Sequence, residues 1–285
     1  MKINYETNHW NDYELIDSGD GRKLERYGEY IISRPAPQAL WPPELSKSSW
    51  ETAHAIYHRS SSGGGRWEYL ISFPERYTIS WSSLTFIIKL TGFGHVGLFP
   101  EQSGCWEWLR NMPPEASDLE SVLNLFAYTG AATVAAVSAG NSVCHVDGSK
   151  GSVTWARENA VTCHMESRSI RWIVDDVNKF VAREIKRDRT YRGIILDPPT
   201  FGRGPKGQVW KIEDDLPKLF EMIRHFVSQG MRFIIFTCHS PSVSIPVLRN
   251  LFEYYTEGKG HLSTGDLLIK PTNGQMKLPA GIAGI

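Results

Sequence analysis

Long hydrophobic runs are missing from this 285-residue chain. No stretch of about 18 or more apolar residues occurs, so no membrane-spanning helix is expected. The N-terminus, MKINYETNHWNDYELIDSGDG, is polar and acidic and lacks the apolar segment of a secretory signal. Cysteine is scarce: Cys105, Cys144, Cys163 and Cys238 lie far apart and form no CxxC pair. That argues against a zinc ribbon or a disulfide scaffold and fits a reducing, cytoplasmic setting. The nine histidines show no HExxH or paired spacing, so no metal site is expected. An excess of either charge is absent too, with 31 Lys and Arg against 31 Asp and Glu. A neutral total counts against a chain that grips nucleic acid chiefly through phosphates, but a local basic patch remains compatible with it.

What is present describes a globular chain, 41% hydrophobic and 22% charged. Many of the ten Trp residues fall in the first 110 positions, where packing is their ordinary use and base stacking a rarer one. This first part reads as strands and turns. SGDGRKLERYGEYIISRP has a Gly-rich turn and an alternating segment, and PAPQALWPPELSK is Pro-rich and extended. WETAHAIYHR carries apolar residues at helical spacing, SSSGGGRW predicts a turn, and WEYLISF and TFIIKLTGF read as strands. HVGLFPEQSGCWEWLRNM predicts a strand end, a turn and a short helix.

After MPPEASDLE the pattern changes. Strands SVLNLFAY, SVCHVD, SIRWIVDD, YRGIILD and MRFIIFTC alternate with helices expected over 131–139, 149–163, 177–187, 212–227 and 245–255. Strands without polar alternation, separated by amphipathic helices, imply a parallel sheet covered on both faces. Right-handed crossovers make this an α/β, doubly wound, Rossmann-like layer. The expected division is a β-rich domain over residues 1–114 and the α/β domain over 115–285. The final KLPAGIAGI is short for a closing strand of this fold.

Ligands of such sheets sit beyond the carboxyl ends of the strands. Here the first strand runs into Asn124-Leu125-Phe126-Ala127-Tyr128-Thr129-Gly130, and the next three end at Asp147, Asp175-Asp176 and Asp197. Each acid alone could be a helix N-cap; three in succession favour a nucleoside ligand. The first turn has one glycine, Gly130, then Ala131-Ala132, not the GxGxxG that lets a backbone approach a pyrophosphate. An adenosine without phosphates needs less room. Asp147, 17 residues after Gly130, suits two ribose hydroxyls, and an acid after the third strand suits an adenine amino group. Together these favour S-adenosyl-L-methionine over a nicotinamide cofactor.

VLNLFAYTGAATVAA, HVDGSKGSVTWARENA, IVDDVNKF and IILDPPTFG resemble, in order and spacing, the bacterial 23S ribosomal RNA methyltransferase family of class I S-adenosylmethionine enzymes, whose members include cytosine-C5 and guanine-N7 types. The likeness covers residues 121 to about 240, and YELIDSGDGRKLERYGEYIISRPAPQALW with HVGLFPEQ resembles the family's N-terminal extension. The resemblance implies that Phe126, Tyr128 and Gly130 form the cofactor loop. It makes Asp147 the ribose acid, and Asp176 the adenine-side acid with Asp175 as the alternative. Asp197, Pro198 and Pro199 then face the reacting base, and Phe99 and Gln102 close over the methionine end. The chain reads PEQ where many relatives read DQR.

Two prolines after Asp197 end the strand and fix the acid at the rim, where it could anchor a flat heterocycle in line with the methyl group. Cys238, in FIIFTCHSP, falls where cytosine-C5 relatives carry a nucleophilic cysteine; the alternative is a structural thiol at a strand end. Its neighbour His239 stands where the family has a small residue. Arg203, Lys206 and Lys211 follow Asp197 as phosphate contacts or solvated loop charges, and Trp210 either stacks a base or packs under the loop. The expected activity is methyl transfer to a base of RNA, with ribosomal RNA as partner and cytosine C5 as one acceptor. A cofactor-binding but non-catalytic RNA module and a non-RNA acceptor are the alternatives.

Overall fold

In this computed structural model the residues described are 5–7, 10–60, 64–112, 121–272 and 274–285. The chain forms two compact units, one of Met1–Tyr5, Gly104–Asp266 and Gly281–Ile285, the other of Glu6–Ser103 and Leu267–Ala280. The boundary expected near residue 115 lies outside the described residues.

The second unit is the β-rich one. Five strands pair in sequence order: β1 (Tyr13–Gly19), β2 (Arg22–Tyr27), β3 (Tyr30–Pro35), β4 (Ala55–Arg59) and β5 (Gly65–Tyr69). A separate hairpin joins β6 (Tyr77–Trp81) to β7 (Leu84–Ile88). The helix expected in WETAHAIYHR is confined to α1 (Lys47–Trp50), before and at its first residue. Ala53, Ala55 and Tyr57 are buried in alternation, and β4 pairs with strands on both sides. Sheet neighbours there reward β-branched and aromatic side chains over helical spacing. Around Glu25 this unit builds a buried polar cluster. Arg34 donates Nε to Glu25 Oε2 at 2.6 Å and Nη2 to Oε1 at 3.1 Å, Tyr13 donates its hydroxyl at 2.9 Å, and Lys23 lies at 3.0 Å. Burial alone would raise the pKa of Glu25, yet Arg34 and then Lys23 hold it at about 2.

The first unit carries α2 (Ser103–Asn111), all but its first residue, and then the alternating layer. Its strands are β8 (Ser121–Leu125), β9 (Ser142–Asp147), β10 (Ile170–Val174), β11 (Gly193–Leu196) and β14 (Phe233–Cys238). The intervening helices are α3 (Ala131–Ser138), α4 (Lys150–Thr162), α5 (Val177–Lys186), α6 (Ile212–Ser228) and α7 (Ile245–Thr256). Every residue of β11 and β14 is buried, as a parallel strand covered on both faces requires. α6 buries Ile212, Leu216, Leu219, Phe220, Ile223 and Phe226, one apolar stripe at helical period. The sheet order is β10-β9-β8-β11-β14-β16-β15, with β15 (Thr264–Ile269) and β16 (Leu278–Gly284) as the last two strands. KLPAGIAGI thus supplies a closing strand, antiparallel to β14 through Phe236 opposite Gly284 and Cys238 opposite Ile282. A small hairpin, β12 (Phe201–Arg203) with β13 (Val209–Lys211), follows β11 and was not predicted.

Candidate active site

Four parallel strands stand side by side as β10, β9, β8 and β11 and end level with one another. Val174 lies opposite Asp147, Val146 opposite Leu125, and Leu125 opposite Leu196. Asp175-Asp176, Asp147, the Phe126–Gly130 turn and Asp197 therefore follow one another along a single rim. At the ordinary strand spacing of about 4.8 Å this rim is about 14 Å long.

The turn after β8 is strained. Phe126, Tyr128 and Gly130 all have left-handed backbones, at φ 55, 48 and 82. Two of these are aromatic residues, for which that conformation is costly and held only by surrounding structure. Several bonds hold it. Tyr128 donates its N–H to Asp147 Oδ2 at 2.8 Å, Asn159 of α4 donates Nδ2 to Thr129 O at 2.8 Å, and Gly130 N donates to Ala127 O at 3.0 Å. A Cβ at Gly130 would lie 2.9 Å from Ala156 Cβ, so α4 closes in only because both residues are small. Beneath the turn Asn124 Nδ2 donates to Thr133 Oγ1 at 2.9 Å, and that hydroxyl meets His145 Nδ1 at 2.9 Å. Burial, then Arg157, pushes His145 down to about 3, so its ring is neutral.

Asp147 also accepts the Ser149 N–H at 2.8 Å on Oδ1, and Ser149, not Asp147, is the N-cap of α4. Burial raises the Asp147 pKa, opposed by the N–H groups of Ser149 and Tyr128. Each of its oxygens thus accepts one backbone N–H, and a carboxylate offers about four acceptor positions in all. Asp176 is the N-cap of α5, accepting the Lys179 N–H at 2.9 Å on Oδ1. Asp175 accepts the Asp176 N–H at 2.8 Å and pairs with Arg183.

Asp197 leaves β11 half-buried, with Pro198 buried behind it. Thr237 of β14 donates its hydroxyl to Asp197 Oδ1 at 2.7 Å, and His239 Nδ1 lies 3.8 Å from the same oxygen. The β12–β13 hairpin braces the segment. Trp210 is buried, donates Nε1 to Pro199 O at 2.7 Å and packs edge-on against Phe126 at 4.7 Å. Trp210 therefore packs under the loop. Arg203 and Lys206 are exposed on this hairpin, and the Arg203 carbonyl comes within 3.6 Å of where a Cβ on Gly148, beside Asp147, would stand.

Cys238 has the environment of a core thiol. It is 1% exposed, belongs to the buried cluster of the α/β layer, lies opposite Ile282 of β16, and takes the Ser240 N–H on sulfur at 3.3 Å. Burial pushes it up to about 12, and the nearby Asp197 charge adds to the rise. His239 faces the Asp197 carboxylate. Phe99 and Gln102 belong to the β-rich unit, where Phe99 precedes a 3-10 turn over Pro100–Gln102 and its ring meets His95 edge-on at 5.5 Å, while Gln102 is buried. Sequence reasoning missed Asn159, Thr133, His145 and Thr237. Asn124 and His145 carry a usable signal, since a polar residue inside a fully buried strand needs a partner.

The donor set suits an adenosyl group. Asp147, half-buried with acceptor capacity beyond its two backbone donors, is fit for a pair of vicinal hydroxyls, and the single-glycine turn lacks a pyrophosphate cradle. Among the described residues no group of three or more His, Cys, Asp or Glu could hold a metal ion, and no helix is long and apolar enough to cross a membrane.

A family described as S-adenosylmethionine-dependent methyltransferase matches residues 47–238. A SAM-dependent methyltransferase structure from Agrobacterium tumefaciens is 38% identical, with a TM-score of 0.91 over 98% of this chain and 91% of that one. A Streptococcus mutans structure, 17% identical, shares the fold with a TM-score of 0.70 over 98% of this chain and 76% of its own. A Syntrophotalea carbinolica protein named ribosomal RNA large subunit methyltransferase K/L is 33% identical over 144 residues, 50% of this chain but 19% of that protein. The chain thus matches about a fifth of the length of that curated relative.

Proposed function

Because the chain belongs to the S-adenosylmethionine-dependent methyltransferase family, we propose that it methylates a base of RNA, ribosomal RNA first, at a rim that binds the cofactor through Asp147, Asp176 and the Phe126–Gly130 turn. The observation that carries this reading is the level row of acids around a strained turn braced by Asp147 itself. When bound, the cofactor supplies an electrophilic methyl group on a sulfonium. The likeness to proteins named for ribosomal RNA methylation supports the RNA acceptor. So do Arg203 and Lys206, exposed on the hairpin that follows Asp197.

Asp197 has the positioning role. Its carboxylate accepts a hydrogen bond from the acceptor base while Thr237 fixes its orientation from behind. Alignment of this kind contributes up to roughly 7–11 kcal/mol to lowering a barrier. His239, beside the same oxygen, offers a base for the proton the acceptor loses. The state of Cys238 supports an acceptor that reacts without a covalent enzyme adduct. A base nitrogen can do so, whereas C5 of cytosine needs a thiolate at C6 to become nucleophilic. For Phe99 and Gln102 the cofactor role rests on the GLFPEQ motif alone.

The test is incubation with methyl-labelled S-adenosylmethionine and undermethylated ribosomal RNA, followed by nucleoside mapping. Label on a base nitrogen is expected. Label at C5 of cytosine overturns the adduct-free route, and an RNA left unlabelled beside a labelled protein or small molecule overturns the RNA reading.

A further inference from the structure

The β-rich unit carries an open surface pocket of about 640 Å³ that the rim chemistry does not use, lined by Asp12, Gly28, Glu29, Tyr30, Arg76, Tyr77 and Thr78. We propose that it binds an unstacked base of single-stranded RNA. The inference rests on the RNA reading above.

The walls begin with a tight turn. Tyr27 pairs with Tyr30 across β2 and β3, so Gly28 and Glu29 alone make the connection, and Gly28 takes φ 62 as the first residue of such a turn. A side chain there would be strained and would stand 3.5 Å from Ile79 and 3.8 Å from the Tyr77 ring. The turn lifts Glu29 into solvent and leaves Tyr30 half-buried. The Tyr30 ring lies 4.7 Å from Tyr77 and 4.5 Å from Phe73, and Phe73 continues to Tyr69 at 5.7 Å. Tyr69 is 53% exposed and Leu70 49%, so the aromatic row runs out onto the surface.

Polar groups converge on the same space. Asp12 is fixed by the Ser80 N–H, which donates to Oδ2 at 2.8 Å, and Arg76 and Thr78 are exposed beside it. A volume of this size, flat rings and a few convergent polar groups fit a small-molecule-sized ligand. Carboxylates answer the amino and ring N–H groups of a base, a guanidinium answers a phosphate, and an aromatic ring offers a face for stacking. A protein partner is the poorer fit, because the cores of protein interfaces are depleted in charge and this wall carries Asp12, Glu29 and Arg76.

The experiment photocrosslinks a short single-stranded oligoribonucleotide containing 4-thiouridine to the full chain and maps the labelled peptides, with anisotropy titration of the same RNA. Crosslinks within Gly28–Tyr30 and Arg76–Thr78 are expected, with binding weakened about tenfold by Tyr30→Leu, the loss of one stacked base. Glu29→Gln, at an exposed turn, keeps the fold and is expected to weaken purine-containing RNA. Crosslinks confined to other peptides, or both variants binding as the parent does, overturn the proposal. Dissociation of a dimer on Tyr30→Leu assigns the surface to a second copy and overturns it too. Methyl transfer to RNA with crosslinks elsewhere removes this site and keeps the proposed activity; crosslinks here without transfer do the reverse.

Discussion

Tyr128 donates its backbone N–H to the side chain of Asp147 across 2.8 Å, so the acid expected to hold a ribose also sets the turn expected to hold the rest of the cofactor. Burial lifts the Asp147 pKa from the ordinary aspartate value, against the two backbone N–H groups it accepts. The folded state therefore takes up this proton more readily than the unfolded chain, and ionising the group subtracts stability as pH rises through that window. Ribose binding needs the ionised form. Affinity for S-adenosylhomocysteine is expected to fall on acidification before the ordinary aspartate titration is reached, and calorimetry over a descending pH series checks it. Asp147→Asn flattens the dependence.

Gly130→Ala meets two obstacles, a left-handed φ of 82 and a Cβ 2.9 Å from Ala156 Cβ. The expected cost is about 1–3 kcal/mol in urea unfolding. Adding Ala156→Gly relieves the contact but not the backbone, so the double variant recovers part of the loss and remains below the parent.

Cys238 and Asp197 are expected to part company in activity assays. With its thiol held near 12 by burial, Cys238→Ala keeps methyl transfer within about threefold and iodoacetamide labels the native residue slowly at about pH 8. Asp197→Asn, which loses the anionic acceptor at the rim, lowers transfer by about 100-fold or more. Radiolabel incorporation measures both.

Glu25 is fully buried between Arg34 and Lys23 and titrates near 2. Its depressed value contributes stability above the unfolded carboxyl range that is lost as pH falls from about 4.5 toward 2. Glu25→Ala strands Arg34 and is expected to cost the β-rich unit about 3–5 kcal/mol. Circular dichroism melts at neutral pH and at about pH 3 show the variant losing less on acidification than the parent.

The alternating half was legible because runs such as GIIL and FIIFTC carry no polar period and must be buried on both faces. That the acids stand at the carboxyl ends of strands followed from that parallel layer; their order along the rim is set by the sheet order β10-β9-β8-β11. The β12–β13 hairpin was not legible, since three-residue strands leave no periodicity to detect. The face of a strand-end residue was also hidden. Thr237 and Cys238 are adjacent, and strand alternation gives Asp197 to Thr237 and the core to Cys238. The bonds of Asn159 and Thr133 depend on α4 and α3 packing over the turn, which no local pattern encodes.

Calorimetric binding of S-adenosylhomocysteine to the parent, Asp147→Asn and Asp176→Asn tests the rim most directly. Asparagine still caps α5 well, so the second variant separates a helix-capping role from a ligand role. The account predicts binding by the parent, a loss of about 10-fold or more for Asp147→Asn from its charged hydrogen bonds, and a smaller but measurable loss for Asp176→Asn. Parental affinity in both variants, with the fold intact, would contradict it.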